Sequence, residues 1–335
     1  GDACPDNFNG GGGSNNLTAN LGGSVFNESS SMMENTDVNI SNETHTMTKN
    51  TKTSHGQYTF FSLPMKDNYS VSAYKNDDPL NGVSTQDIVL IQKHILGIAE
   101  LKSAYKVVAA DVNNSESITA RDISELRKLI LGVTTNFVGN TSWRFINSQQ
   151  QFADILHPWP LQESFAYNNL DKDQMNNNFV AVKIGDLSGN ARTNLFNGSQ
   201  ARREKWGLNI QDELVEAGKL ISVPFMINSE TRLSGLQMEL QFDPEKVKFL
   251  EIENGTISLH DYNLNLNRLS EGVIRISFDQ VDGFEADRAL FNIKLEGLQS
   301  ANLSSCLVLK TGSIAAEAYD MNSEAADLRL DFVRG

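Results

Sequence analysis

Two segments, DIVLIQKHILG at 87–97 and DISELRKLILG at 122–132, align without a gap at an offset of 35 residues. Ile88, Ile91 and Ile95 fall at i, i+3 and i+7, as do Ile123, Leu126 and Ile130. Each segment is therefore expected to form a short helix with one apolar face. Gly97 and Gly132 stand where the glycine that ends a helix belongs. So short a helix is marginal alone, and two copies can bury their stripes against each other. A plain helical hairpin satisfies the pattern equally well, so the residues ahead of each helix have to separate the alternatives.

Ahead of the second helix stands DVNNSESITARD, with oxygen-bearing side chains at alternate positions. A calcium loop of this length supplies oxygens from positions 1, 3, 5, 7, 9 and 12, because Ca²⁺ takes six to eight hard ligands. In that register the donors are Asp111, Asn113, Ser115, the carbonyl of Ser117, Thr119 and Asp122, with Ile118 as an apolar pin. Asp122 falls in the first turn of the helix, where the macrodipole favours a carboxylate. The first repeat gives Asn76, Asp78, Leu80, Gly82, Ser84 and Asp87. Leu80 has no side-chain oxygen, so this loop is degenerate and is expected to use backbone carbonyls around Pro79–Asn81 or to bind more weakly. The glycine usual at position 6 is Asn81 in one loop and Glu116 in the other. The same residues also suit Asx turns and helix N-caps without a metal.

Either side of the repeats the pattern has period two. In GQYTFFSLPMKDNYSVSAYKND, Tyr58 and Phe60 alternate with polar neighbours, and Tyr69, Val71 and Ala73 do so after a turn. Later, GLQMELQF alternates Leu236, Met238, Leu240 and Phe242, and VIRISFDQ and ALFNIKLEG follow suit. Such runs argue for β-sandwiches. The chain is thus read as mainly β and multidomain. A flexible arm (1–22) leads into a small β-sandwich (23–75) and the helical loop pair (76–135). An irregular connector (136–203) with the single strand FVAVKIGD then reaches a C-terminal sandwich or jelly roll (204–335). The glycine tract NGGGGSNN lacks a P-loop Lys and reads as linker.

Three family resemblances follow from these residues. Gly56, Tyr58, Phe60, Leu63, Pro64, Tyr69 and Val71 resemble the transthyretin-like, carboxypeptidase regulatory-like repeats of bacterial surface proteins, which implies a spacer. The duplicated loop and helix, each ending in ILG, resembles dockerin type I, as found in large secreted proteins of Bacteroidetes-type bacteria. That resemblance implies docking onto a cohesin partner through Thr85, Gln86, Ala120 and Arg121, with Lys93 and Lys128 further along. Val223, Pro224, Gly235, Leu240, Phe242, Asp243 and Pro244 resemble a cohesin-type domain, which implies a nine-stranded jelly roll with a protein-binding face.

The net charge of −14 argues against nucleic-acid or anionic-membrane partners. No stretch is apolar for long enough to span a bilayer as a helix. The chain opens at a glycine with no signal peptide, which reads as a processed or trimmed form. Ten N-x-S/T sequons, Asn27, Asn39, Asn42, Asn140 and Asn254 among them, suit an exposed secreted surface. Cys4 and Cys306 are the only cysteines, and they are candidates to pair within or between chains in an oxidising compartment. The five histidines have no metal-ligand spacing, and no nucleophile elbow or HExxH appears.

The expectation is a non-enzymatic, calcium-binding extracellular or cell-surface module exported by a type IX-like route. It would mediate protein–protein assembly, with copies of itself or a cohesin or dockerin partner, head-to-tail into filaments. The alternative is an accessory scaffolding or polysaccharide-binding region of a larger secreted hydrolase. Trp143, Trp159 and Trp206 would then be sugar platforms, although core packing suits them better.

Overall fold

The computed structural model describes residues 17–42, 47–194, 203–310, 312 and 314–333. They form two compact units. The first holds the described residues of Gly1–Tyr74, Phe145–Gln149 and Gln162–Val180; the second holds those of Lys75–Arg144, Gln150–Leu161 and Ala181–Gly335. Among the described residues no helix is long and apolar enough to cross a membrane.

The first unit is built on β1 (Thr18–Asn27), β2 (Asp37–Asn42), β3 (Met47–Lys52), β4 (Gln57–Pro64), β5 (Tyr69–Tyr74), β6 (Trp143–Asn147), β7 (Ser164–Tyr167) and β8 (Phe179–Lys183). They make two four-stranded sheets, ordered β4-β1-β8-β6 and β3-β2-β5-β7. The alternation of Tyr58 and Phe60 with polar neighbours turns both rings inward, and Tyr69 and Val71 do the same across the core. Phe165 of β7 meets Phe179 of β8 edge-on at 5.1 Å between ring centroids, which joins the two inner faces.

The stretch 136–203, expected to carry one strand, carries β6, β7 and β8. WRFIN and SFAY span only five and four residues, too few for a period of two to stand out in sequence. The sandwich begun by residues 18–74 is completed by strands that lie far along the chain.

The second unit opens with α1 (Thr85–Ile95), α2 (Ala104–Ala110) and α3 (Ala120–Ile130). On α3 the expected stripe of Ile123, Leu126 and Ile130 is buried. On α1 the buried set is Ile88, Val89 and Ile91, while Ile95 is 41% exposed. Both helices end on a glycine with positive φ, Gly97 at 68° and Gly132 at 70°. The next residue donates its N–H back to the helix, from Ile98 to Lys93 and from Val133 to Lys128, which satisfies orphan carbonyls.

The rest is a sandwich of β9 (Lys205–Gln211), β10 (Leu214–Val215), β11 (Leu220–Ile227), β12 (Leu233–Phe242), β13 (Val247–Asn254), β14 (Leu264–Asn265), β15 (Val273–Phe284), β16 (Phe291–Gly297), β17 (Ala301–Asn302), β18 (Leu307–Lys310), β19 (Glu317–Asp320) and β20 (Ala325–Val333). The main path runs β13-β16-β11-β9-β20-β19-β12-β15-β14, with β18 also paired to β12. It is jelly-roll-like. Pairing in the register Leu236↔Phe278, Met238↔Ile276 and Leu240↔Ile274 aligns the apolar positions of β12 and β15 on the core face. Phe225 and Phe291 stack at 5.0 Å across β11 and β16.

Candidate interaction face and metal loop

A half-buried antiparallel strand sends alternate residues to solvent. In β12 and β15 those alternates include Gln237, Glu239 and Ser277, yet all three are buried, at 2%, 6% and 0% exposure. The reason is that α1 and α3 lie against this polar face. The first free N–H of α1 donates from Thr85 to Gln237 Oε1 at 2.7 Å, so an orphan helix donor is satisfied by the sheet. Thr85 Oγ1 donates to the same oxygen at 3.0 Å and lies 2.7 Å from Ser277 Oγ. Gln92 Nε2 donates to Asp279 Oδ2, and Arg127 Nη2 to Asp279 Oδ1, both at 2.5 Å. Arg127 also lies 5.3 Å from the centre of the Tyr262 ring. At the other end Asn265 Nδ2 donates to the carbonyl of Leu131 at 2.8 Å. Arg275, ion-paired with Glu239 at 2.6 Å, fills the space where a Gly132 side chain would stand.

Of the six residues proposed as partner contacts, three lie on this face. They are Thr85, Gln86, which donates to the Ser323 carbonyl, and Lys93, whose Nζ donates to the Met321 carbonyl at 3.0 Å. Ala120, Arg121 and Lys128 are exposed on α3, and Lys128 pairs with Glu125 at 3.1 Å on its own helix. Sequence reasoning missed Gln92, Arg127 and Asp279. A signal was present, since Gln92 and Arg127 are repeat equivalents at the offset of 35.

The second loop, residues 111–122, has its proposed donors drawn together around two buried carboxylates. Asp111 is 2% exposed and accepts the N–H groups of Ser115 at 2.8 Å and Glu116 at 2.9 Å. Asp122 is fully buried, and it accepts from Asn113 N at 3.1 Å, Thr119 N at 2.8 Å and Thr119 Oγ1 at 3.1 Å. Ser115 Oγ reaches the Ser117 carbonyl at 3.3 Å. Glu116, where a glycine is usual, adopts φ of 61°, and Asn114 57°. Asn113 Nδ2 is buried with no hydrogen-bond partner. A half-turn of that amide would put Oδ1, a hard ligand, in its place. Burial raises the Asp111 carboxyl above its ordinary range; the loop N–H groups oppose this, the Asp122 charge adds to it, and Arg144 pulls it down. Hard oxygens, two neighbouring carboxylates and an orphaned amide fit Ca²⁺. Among the described residues no group of three or more His, Cys, Asp and Glu is placed to hold a metal ion, so the remaining ligands would be amide, hydroxyl and carbonyl oxygens.

The first loop, residues 76–87, is arranged differently. Asn76 Oδ1 accepts the N–H of Ser142 at 2.9 Å. Both Asp87 oxygens are engaged, Oδ2 by Ser84 N at 2.9 Å and Ser84 Oγ at 3.2 Å, Oδ1 by the N–H groups of Leu187 and Ser188, each at 2.8 Å. The Pro79 carbonyl, expected as a substitute ligand, accepts from Lys183 Nζ at 2.7 Å. Lys183 is 4% exposed, with its Nζ also donating to the Ile184 carbonyl and lying 5.0 Å from the Phe137 ring centre. Burial pushes its ammonium down to about 7 against the pull of Asp186, Asp78, Asp87 and Asp77. Burial, with Asp186 adding to it, pushes Asp87 up to about 7, opposed by the amides of Ser188, Ser84 and Leu187. Gly82, at φ 74°, is where a Cβ would collide with Ala191 at 2.6 Å, so residues 183–192 close over this loop.

Two glycan candidates do not suit their role. Asn42 is 3% exposed, and the Asn140 amide nitrogen is spent on the carbonyls of Asp111 and Val112. Asn27 and Asn39 are half-buried, and Asn254 is exposed. Cys306 is buried, and its proposed partner Cys4 lies outside the described residues. Trp143 is 3% exposed and Trp206 packs on the sandwich core, so neither offers a platform; Trp159 is half-buried.

Residues 206–324 match the family model of the cohesin domain. This span covers most of the C-terminal sandwich, including the polar face that the helices cover. Among solved structures, the chain is similar to the sixth cohesin of scaffoldin B from Acetivibrio cellulolyticus, solved with a dockerin. Identity there is 16% over 38% of this chain and 94% of that one, with a TM-score of 0.31. A non-cellulosomal cohesin from Archaeoglobus fulgidus is similar at 17% identity over 38% of this chain and 86% of that one, TM-score 0.30. A type I cohesin–dockerin complex from Clostridium thermocellum gives 12% identity, 40% and 94% coverage, and a TM-score of 0.33. No curated protein matches the chain. Cohesin domains are non-catalytic protein-interaction modules.

Proposed function

We propose that this chain is a non-enzymatic, extracellular structural module in which the cohesin domain is docked by a dockerin-like, calcium-organised helix pair of the same chain. The observation that carries this reading is the burial of Gln237, Glu239 and Ser277 beneath α1 and α3, with Thr85 and Arg127 bonded to the cohesin sheet. A cohesin domain takes a dockerin as its partner, and the duplicated loop and helix is the segment of this sequence that resembles one. Calcium would be held by Asp111, Asn113, Ser115, Ser117, Thr119 and Asp122, and would fix the loop to the start of α3 so that Arg127 is presented at a set angle. The first sandwich is then a spacer.

The same complementary pair, exchanged between neighbouring chains, makes a heterologous contact that propagates into open filaments unless rotation closes it. Light scattering and negative-stain microscopy of the whole chain test this. Multimers that form with calcium and disperse with chelator are expected. Strictly monomeric behaviour in both conditions contradicts the assembly reading, and turnover on a panel of glycans or peptides contradicts the non-enzymatic one.

A further inference from the structure

The two loops descend from one repeated pattern, yet they treat charge in opposite ways. In the second loop, loop amides and hydroxyls are bonded to the Asp111 and Asp122 carboxylates, an amide nitrogen is orphaned at Asn113, and the nearby cation, Arg144, is bonded to Asn114. In the first, a side chain from a distant strand enters. Lys183 at the end of β8 is buried, bonded to the Pro79 carbonyl at the loop's fourth position, and within electrostatic reach of Asp77, Asp78, Asp87 and Asp186. The residues after it complete the closure. Leu187 and Ser188 bond Asp87, while Asp186 turns inward to accept from Gly189 at 2.7 Å and Ala191 at 2.9 Å. Asn81 and Arg192 form a reciprocal pair, Asn81 Nδ2 to the Arg192 carbonyl and Arg192 N to Asn81 Oδ1, both at 2.9 Å.

We propose that protein groups organise the first loop where a divalent ion organises a loop of this kind: buried Lys183, bonded to the Pro79 carbonyl, and the 183–192 segment, bonded to Asp87 and Asn81. The chain therefore binds one calcium, at the Asp111 loop, and its first half-repeat is organised without metal. Three features close the first loop to an ion. Leu80 supplies no oxygen, the Asn76 oxygen is committed to Ser142, and all four bonds at the Asp87 carboxylate come from the protein. With Lys183 Nζ and the backbone amides already filling this pocket, a divalent ion would have to displace protein donors, and beside the protonated lysine it would meet like charge at short range.

This inference deepens the calcium reading, and the experiment separates the two. Calcium titrated calorimetrically into the metal-free whole chain is expected to bind at one ion per chain. In parallel, hydrogen exchange of the chelator-treated chain is expected to rise at the amides of Asn113, Ser115, Glu116 and Thr119. The amides of Asn81, Val83, Leu187 and Ser188 are expected to stay protected. Lys183→Met should raise exchange at this second group by about tenfold or more, with or without calcium. Two ions per chain, or equal loss of protection at both loops on chelation, overturns the lysine assignment. Zero ions removes the calcium reading alone, and Lys183→Met still decides whether the lysine organises the first loop. Should Lys183→Met fail to fold, the stoichiometry and chelator arms on the unaltered chain remain decisive.

Discussion

Gly132 and Gly97 occupy the same place in the two repeats and the same left-handed backbone, but only one of them sits under a neighbour. A Cβ on Gly132 would stand 1.9 Å from an Arg275 nitrogen whose guanidinium is tied to Glu239, whereas a Cβ on Gly97 would meet nothing within 4 Å. Gly97→Ala is therefore expected to cost only the backbone term, about 1 kcal/mol. Gly132→Ala should cost roughly twice that or more, because the ion pair beneath the helix end has to move as well. Urea unfolding of the two variants side by side checks this. Equal losses would mean that the C-terminal end of α3 is not held against the sheet.

At the scale of elements, the second loop and α3 form one unit, and the calcium proposal predicts that its stability responds to pH differently with and without the metal. The folded state raises the Asp111 carboxyl through burial, so without metal it holds a proton at a pH where the unfolded chain has lost it. Between the ordinary carboxylate value and the raised one, the metal-free protein thus loses stability as pH rises. The proposed calcium site requires the ionised form, so the rise in melting temperature expected from calcium should shrink as pH falls from about 7 to about 4. Thermal melts in calcium and in chelator across that range measure it. A calcium increment that did not depend on pH would exclude Asp111 from the ligands.

The elements also set the limit of what could be read from sequence. The helices and their glycine ends were legible because period and repeat coincide, and the alternation of Leu236, Met238 and Leu240 marked the inner face of β12. The role of Gln237 and Glu239 was not legible. Polar residues at alternate positions look like a solvent-facing side, and only the docked helices turn that side into an interior. Lys183 was hidden for the same reason. It ends the strand FVAVK, where a lysine reads as an ordinary exposed terminus, and its partner, the Pro79 carbonyl, lies about a hundred residues away.

On the scale of the molecule, the second unit holds a sandwich whose polar face is covered by helices of the same chain, which, on the proposed function, is a binding module supplied with its own partner. Polar, charged and amide groups dominate the contact, and such groups fix register and orientation more than they add affinity. The measurement that tests this most directly is a double-mutant cycle between Arg127 on α3 and Asp279 on β15, followed by thermal or urea unfolding at two protein concentrations. Their side chains are 12% and 2% exposed, so removing either partner alone is expected to cost about 3 kcal/mol. The two losses should be coupled by about 1–3 kcal/mol at both concentrations. Additive losses with no coupling would mean that the helix pair does not lie on the cohesin face of its own chain.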